Sequence, residues 1–322
     1  MKKNRHWFSV MGHSRLVAIL GIIISVLILV LIPSFKWLSG LVMGIVLLHV
    51  ALLLLLSFST FVILPEKIKR SIRSLSIKRK TNNIFDYGWS LSWLNGFWII
   101  GTMLLAFSIF IYHYFPNFQL LAFALFLLSI NLYLGSATIR SSKNTDFLTL
   151  PYVKFFPDNA ENILDAGCGA GRTTISLSRI YKGNIISFDT FDSGYIEGGG
   201  NTLLEKNIKI AGIENRVKIV QGDITNTTFS DNHFDAVIST YMIDHLGNQK
   251  LQCLQEIYRI LKPGGRLLMI VLVPNLSMFA IANVFSFILA SKKQWKAYLE
   301  KSNFTLIEAA NINGAAYFLI EK

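Results

Sequence analysis

The residues best placed to do chemistry lie in Asn162-Ile-Leu-Asp-Ala-Gly-Cys-Gly-Ala-Gly-Arg-Thr173, where a short apolar run meets an acid and then three glycines at alternate positions. Gly167, Gly169 and Gly171 carry no Cβ, so the backbone can turn sharply and a ligand can come into van der Waals contact with it. The helix expected next would present free N–H groups to an anionic ligand end. Asp165 stands two residues before the first glycine, and Arg172 and Thr173 follow the third. The pattern is therefore Gly-x-Gly-x-Gly behind an acid, and it differs from the Gly-x-Gly-x-x-Gly of dinucleotide-binding turns.

Further acids recur at strand ends. Asn184 to Asp189 reads as a second strand closing on an acid 22 positions after Gly167, near the ~20-residue offset at which a carboxylate reaches ribose hydroxyls. Val217 to Asp223 is a third strand ending in Gly-Asp, and Phe234 to Tyr241 a fourth. Lys262-Pro-Gly-Gly stops a helix and runs into a fifth strand. Asn201 to Ala211, with Asn201 as N-cap, and Asn248 to Leu261 read as amphipathic helices between them. A last helix from Trp295 precedes strands over Thr305 to Ile312 and Ala315 to Ile320. Alternating strands and helices predict an α/β fold with a doubly wound, mainly parallel sheet.

These ordered landmarks give residues 146–322 a resemblance to the class I S-adenosylmethionine-dependent methyltransferases of the small-molecule type. That resemblance implies a Rossmann-like sheet and S-adenosylmethionine as cofactor. It places Asp165, Gly167, Gly169 and Gly171 around the methionine end, Asp189 on the ribose, Asp223 and Ile224 beside the adenine, and Thr240 near the transferring methyl; Cys168, within the turn, is expected to pack its small side chain under the cofactor. The loop from Thr190 to Gly200 is longer than the family's usual connection, so Asp192 competes with Asp189, which is preferred for its place at the strand end. Tyr241-Met-Ile-Asp-His-Leu246 would face the reacting centre. Within it Tyr241, Asp244 and His245 are the candidate catalytic groups, with His245 closest in free pKa to a base working near neutrality; the Asp244-His245 pair can equally cap and pack a helix start.

The first 145 residues are of another kind. The chain is 52% apolar with a mean hydropathy of +0.46, and four uncharged apolar runs, over about 16–32, 38–64, 93–112 and 118–134, approach or exceed the ~17–25 residues that cross a hydrocarbon core. The first is long for a signal peptide, and Pro33-Ser-Phe-Lys36 lacks a small-x-small cleavage site. An all-α domain of four transmembrane helices is expected over 1–145, ahead of the methyltransferase-like domain over 146–322. Up to Thr145 there are 14 Lys and Arg against Glu66 and Asp86, which accounts for the whole net charge of +12; the remainder carries 17 charges of each sign. Lys2, Lys3, Arg5 and Arg15, and the run from Lys67 to Lys80, then mark the cytoplasmic side. Both termini and the catalytic part would face the cytosol, where the cofactor is made. A basic juxtamembrane loop is explained by topology and anionic lipid, so no nucleic-acid partner is expected.

Two cysteines exclude a disulfide framework and a Cys-rich metal site, and the scattered histidines, including His49 within a span, offer no ligand spacing; no metal is expected. The apolar, uncharged stretch from Asn275 to Ser291 is open to two readings, a buried helix or an interfacial lid that admits a lipid-like acceptor by way of Met278, Phe279, Phe285 and Phe287. The expected activity is methyl transfer to a lipophilic or membrane-delivered small molecule. A protein or peptide acceptor, a sensor that binds the cofactor without turnover, and a nicotinamide oxidoreductase are the alternatives.

Overall fold

A computed structural model describes residues 85–322, apart from 90–94, 144–146, 152, 194, 195, 197 and 313, together with isolated positions between 23 and 44. The expected spans over 16–32 and 38–64 lie, but for those isolated positions, outside the described residues. The chain divides into units Met1–Ser74 and Leu75–Lys322, the second of which carries the sheet.

Two long apolar helices open this second unit, α1 (Phe97–Tyr114) and α2 (Gln119–Lys143). They begin and end later than the runs read from sequence, because Pro116 seeds a tight turn over Pro116–Phe118 and α2 carries on through polar Ser136 to Lys143. Both are long and apolar enough to cross a membrane, and most of their surface is exposed. Small residues let them approach: Ser108 Oγ donates to the Ala122 carbonyl at 2.6 Å, and a Cβ on Gly101 would touch Leu132 at 3.4 Å. Thr102 and Tyr133 share a hydrogen bond of 2.8 Å. Packing through Gly and Ser with interhelical hydrogen bonds suits helices surrounded by lipid, where apolar burial alone drives nothing together.

Beyond them lies a seven-stranded sheet of β1 (Asn162–Ala166), β2 (Asn184–Asp189), β3 (Val217–Gln221), β4 (Phe234–Thr240), β5 (Leu261–Val271), β6 (Thr305–Ile312) and β7 (Ala315–Glu321), in the order β3-β2-β1-β4-β5-β7-β6. The first five strands are parallel, and β7 runs antiparallel between β5 and β6. Helices α3 (Arg172–Ile180), α4 (Gly200–Ala211), α5 (Lys250–Ile260) and α7 (Lys292–Lys301) connect the strands, with the short α6 (Leu276–Ala282) before α7. Helix α4 starts one residue earlier than expected, on Gly199 rather than on an Asn201 cap. The expected helix from Asn248 starts at Lys250, because Ile243–Gln249 forms a 3-10 turn that Gly247 (φ +56°) interrupts.

Alternate residues of each strand feed opposite cores. Leu164, Val237, Leu267 and Met269 pack with Leu254, Ile257, Trp295 and Leu299 on one face; Ile163, Ile185, Ile238 and Ile270 pack with Leu177 and Phe155 on the other. Burial on both faces explains the near-continuous apolar runs of the strands. Chain order reverses between β1 and β4, so their carboxyl ends part and open a crevice, which is where ligands bind in open α/β sheets.

Candidate functional site

The glycine turn closes over that crevice. Gly167, Gly169 and Gly171 all have positive φ, at +78°, +52° and +87°. A Cβ on Gly167 would lie 2.3 Å from Met242, and one on Gly171 2.4 Å from Leu204. Conformation and space therefore both require glycine at these two positions. The N–H groups of Gly167 and Cys168 both reach the Phe188 carbonyl, at 2.8 and 3.2 Å, tying the turn to the end of β2. Cys168 is buried in a cluster with Ile175, Leu204 and Ile208, and burial raises its pKa. It supports the turn from below.

Two carboxylates meet there. Asp165 is fully buried; its Oδ2 accepts from Thr174 Oγ1 at 2.6 Å, a hydroxyl shared with Ser187 Oγ at 2.8 Å, while its Oδ1 has no hydrogen-bond partner. Burial lifts its pKa to about 7, with the nearby Asp189 adding to the rise. Asp189 Oδ2 accepts the Gly169 N–H at 2.9 Å and its Oδ1 the Phe191 N–H at 2.7 Å; burial raises this pKa too, against those two N–H groups. Its competitor Asp192 is exposed. Two crowded carboxylates, one with an open buried oxygen, suit a ligand end that carries positive charge, such as an ammonium or a sulfonium, better than a pyrophosphate. The residues present fit S-adenosylmethionine in this respect.

The remaining expected contacts are mixed. Asp223 is exposed and turns one oxygen to the N–H and hydroxyl of Thr225, each at 2.8 Å, beside a Gly222 N–H that reaches the Asp189 carbonyl at 3.0 Å. Ile224 is buried within the core under the sheet. Thr240 spends its hydroxyl on Thr173 at 2.5 Å, which fastens the end of β4 to the first turn of α3.

After β4 the chain doubles back. Tyr241 takes φ +55° and is half-buried, with its N–H on the Ile270 carbonyl at 2.8 Å and its phenol pKa raised by burial. That kink lays Met242 against Gly167. Asp244 is buried: its Oδ2 takes a long contact of 3.4 Å from the Leu272 N–H and lies 3.9 Å from His245 Nε2, its Oδ1 has no partner, and burial raises its pKa. His245, by contrast, leaves about half its side chain in solvent. The pair sits in the first turn of a 3-10 helix, Ile243–Gln249, and no side chain caps it.

One part of the site carries no signal in the sequence. Residues 85–89 lie over the glycine turn: Asp86 donates its N–H to Asn207 Oδ1 at 2.9 Å, and the fully buried Asn207 returns its amide to the carbonyls of Asp86 and Ala170, at 2.8 and 2.9 Å. The Arg172 guanidinium stands 5.9 Å from the Tyr87 ring centroid, and Trp89 pairs with Ile196, whose side chain reaches Gly169. Asn207→Ala removes these partners from three main-chain groups, the Ala170 carbonyl in a buried bond and both groups of Asp86 in partly buried ones. It should cost about 2–4 kcal/mol of stability, read by thermal unfolding, with faster proteolysis between residues 85 and 89.

Residues 164–269 match the model of the methyltransferase domain family. Over these matched residues the sheet carries a class I S-adenosylmethionine-dependent methyltransferase domain. Among curated proteins, this methyltransferase domain is similar to the ubiquinone/menaquinone biosynthesis C-methyltransferase of Azotobacter vinelandii, 33% identical over 110 residues, which are 34% of this chain and 41% of the relative. It is also similar to the demethylmenaquinone methyltransferase of Staphylococcus epidermidis, 29% identical over 163 residues, which are 47% of this chain and 64% of the relative. The chain thus spans less than two thirds of the length of either relative. Among solved structures, a SAM dependent methyltransferase from Aquifex aeolicus aligns with 50% of this chain and 81% of its own, at 17% identity and a TM-score of 0.41.

Proposed function

We propose that the chain is a membrane-embedded methyltransferase that methylates a lipophilic small molecule, a quinol-type ring being the acceptor that the names of its relatives suggest. The observation that carries the reading is Asp244, a buried carboxylate with one open oxygen, on the loop that packs against the glycine turn. In this reading Asp165, Asp189 and the glycine turn hold S-adenosylmethionine, with Asp223 beside the adenine. When bound, the cofactor supplies an electrophilic methyl on a sulfonium.

Asp244 accepts the proton of an acceptor hydroxyl, which leaves the electron pair that forms the new bond to the methyl carbon. S-adenosylmethionine held by the turn would supply that methyl, and its sulfur would be the leaving group that keeps the electron pair. Tyr241 and Met242 shape the wall against which the acceptor is aligned, and excluding water there is the rest of the task. His245 faces Asp244 from the solvent side and serves as the outlet for its proton. Four membrane spans, with both termini in the cytosol, complete the proposal, since the two apolar helices described belong to the same unit as the sheet.

The test is methyl transfer from radiolabelled donor in membranes containing the full-length protein, sorted into lipid, quinone, protein and soluble fractions. Label in an extractable quinone or lipid is expected. Label confined to protein would establish a peptide acceptor, and cofactor binding with no labelled fraction would establish a sensor.

A further inference from the structure

The stretch 275–291 is neither a plain buried helix nor a loose lid. Asn275 caps α6 by accepting the Met278 N–H at 2.9 Å, and its amide donates to the carbonyls of Val273 and Gly314, at 3.0 and 2.6 Å. The segment's base is therefore pinned to the end of β5 and to the β6–β7 turn. Asn283, at φ +50°, ends α6 after seven residues, and a 3-10 turn over Asn283–Ile288 follows. The limb Leu276–Ala282 meets the limb Phe285–Lys301, which runs on through α7, at a bend of 115°.

Its surfaces differ. Met278 and Ala280 are buried, and the Ala280 carbonyl seats so closely on Gly135 of α2 that a Cβ there would stand 2.4 Å from it. The outer side carries Leu276 at 88% exposure, Phe287 at 70% and Ile288 at 43%, with the Phe279 and Phe287 rings 6.3 Å apart. No residue between Val271 and Lys292 is charged, and directly beyond come Lys292, Lys293 and Lys296, the last two exposed.

We propose that residues 276–288 form a re-entrant wedge that enters the headgroup–acyl boundary of an anionic bilayer, with the three lysines lying among the headgroups. The occupant of the patch is lipid because the patch continues onto α2, a helix apolar enough to cross a membrane, and because its open rim is cationic. Apolar area buried in the interface and lysines set against anionic lipid are the two terms that bind such elements. The wedge starts four residues after Leu272, whose N–H points to Asp244, so an acceptor whose apolar part lies in the bilayer is delivered to the end of the sheet that bears that carboxylate. The inference rests on the membrane reading above.

It is tested on the full-length protein in lipid nanodiscs, with spin labels at Leu276→Cys or Phe287→Cys and a control at the exposed Ile180→Cys. The native Cys168 and Cys253 are buried and stay unlabelled. Labels at 276 and 287 should be relaxed by oxygen and shielded from a water-soluble nickel chelate, the reverse of 180. Adding phosphatidylglycerol to phosphatidylcholine should deepen them, and a triple Lys292→Gln, Lys293→Gln, Lys296→Gln variant should lose that response. Nickel access at 287 equal to that at 180 overturns the wedge, as does dipolar broadening between labels on two copies of the chain. A depth indifferent to anionic lipid overturns the headgroup assignment. Calorimetric binding of S-adenosylhomocysteine by each labelled variant separates the two readings: retained binding with a wet label sinks the wedge alone, whereas a lipid-buried label with no transfer to any fraction sinks the enzyme reading alone.

Discussion

Replacing Asp244 with asparagine should abolish most methyl transfer while leaving cofactor affinity and folding intact. Asparagine keeps the shape and the acceptor oxygen facing the Leu272 N–H, but it cannot take up a proton. If Asp244 is the base, kcat should fall by about 10²–10⁴-fold, the span typical of a positioned general base. Stability should hold or rise, because the substitution removes a carboxylate whose ionised form burial disfavours. A residue that only packs would give the opposite pairing, with activity and melting temperature falling together.

The pH profile supplies a second sign. Burial raises the Asp244 pKa, with the neighbouring His245 opposing it. The base form is lost as pH falls through that raised value, so kcat/KM should begin to drop at a higher pH than an ordinary aspartate would allow. His245→Gln should cost far less than Asp244→Asn. Equal losses in the two variants, or a fully active Asp244→Asn, would return the base role to His245 or remove it from this loop.

How much of this was legible in the sequence depended on the range of the interactions. The glycine turn was legible because the left-handed backbone that it needs leaves a residue-type signature, and so were Asp189 at a strand end and the seven strands as apolar runs, of which β1, β2 and β3 close on Gly or Asp. The choice between His245 and Asp244 was not. Free pKa favoured the histidine, and only the fold reveals that the histidine is half in solvent while the carboxylate is buried with an open oxygen.

Residues 85–89 left no trace either, since Asp86 and Tyr87 are ordinary types whose role comes from Asn207, more than a hundred positions away. The apolar stretch after β5 was visible as an anomaly, but composition could not decide its role. Asn283 breaks it and Gly135 receives it, and both facts belong to three-dimensional packing. The first two expected spans fall almost wholly outside the described residues, so the charge pattern remains the argument for them.

The second large effect concerns Asp165 and the pH dependence of folding without cofactor. Its pKa is about 7 in the folded protein against 3.8 for the free side chain. A raised carboxyl pKa means that the native state holds its proton more tightly than the unfolded chain does, so folding takes up a proton between those values. Below pH 4 both states are protonated and the group costs nothing. As pH rises toward 7 the unfolded chain ionises first and native stability declines, and above 7 the full penalty is present, up to about 4 kcal/mol from three pKa units. Asp165→Asn should flatten that decline and raise the melting temperature of the cofactor-free protein at pH 8, with little effect at pH 4. The same substitution should weaken S-adenosylmethionine, because it removes one of the two carboxylates that make the turn receptive to a cationic end. The paired outcome, a more stable apo protein that binds its cofactor less well, is the signature of a charge buried for a ligand. Denaturant unfolding at pH 4 and pH 8 beside calorimetric titration decides it; a variant less stable at pH 8 with unchanged affinity would make Asp165 a structural anchor held by Thr174 and Ser187.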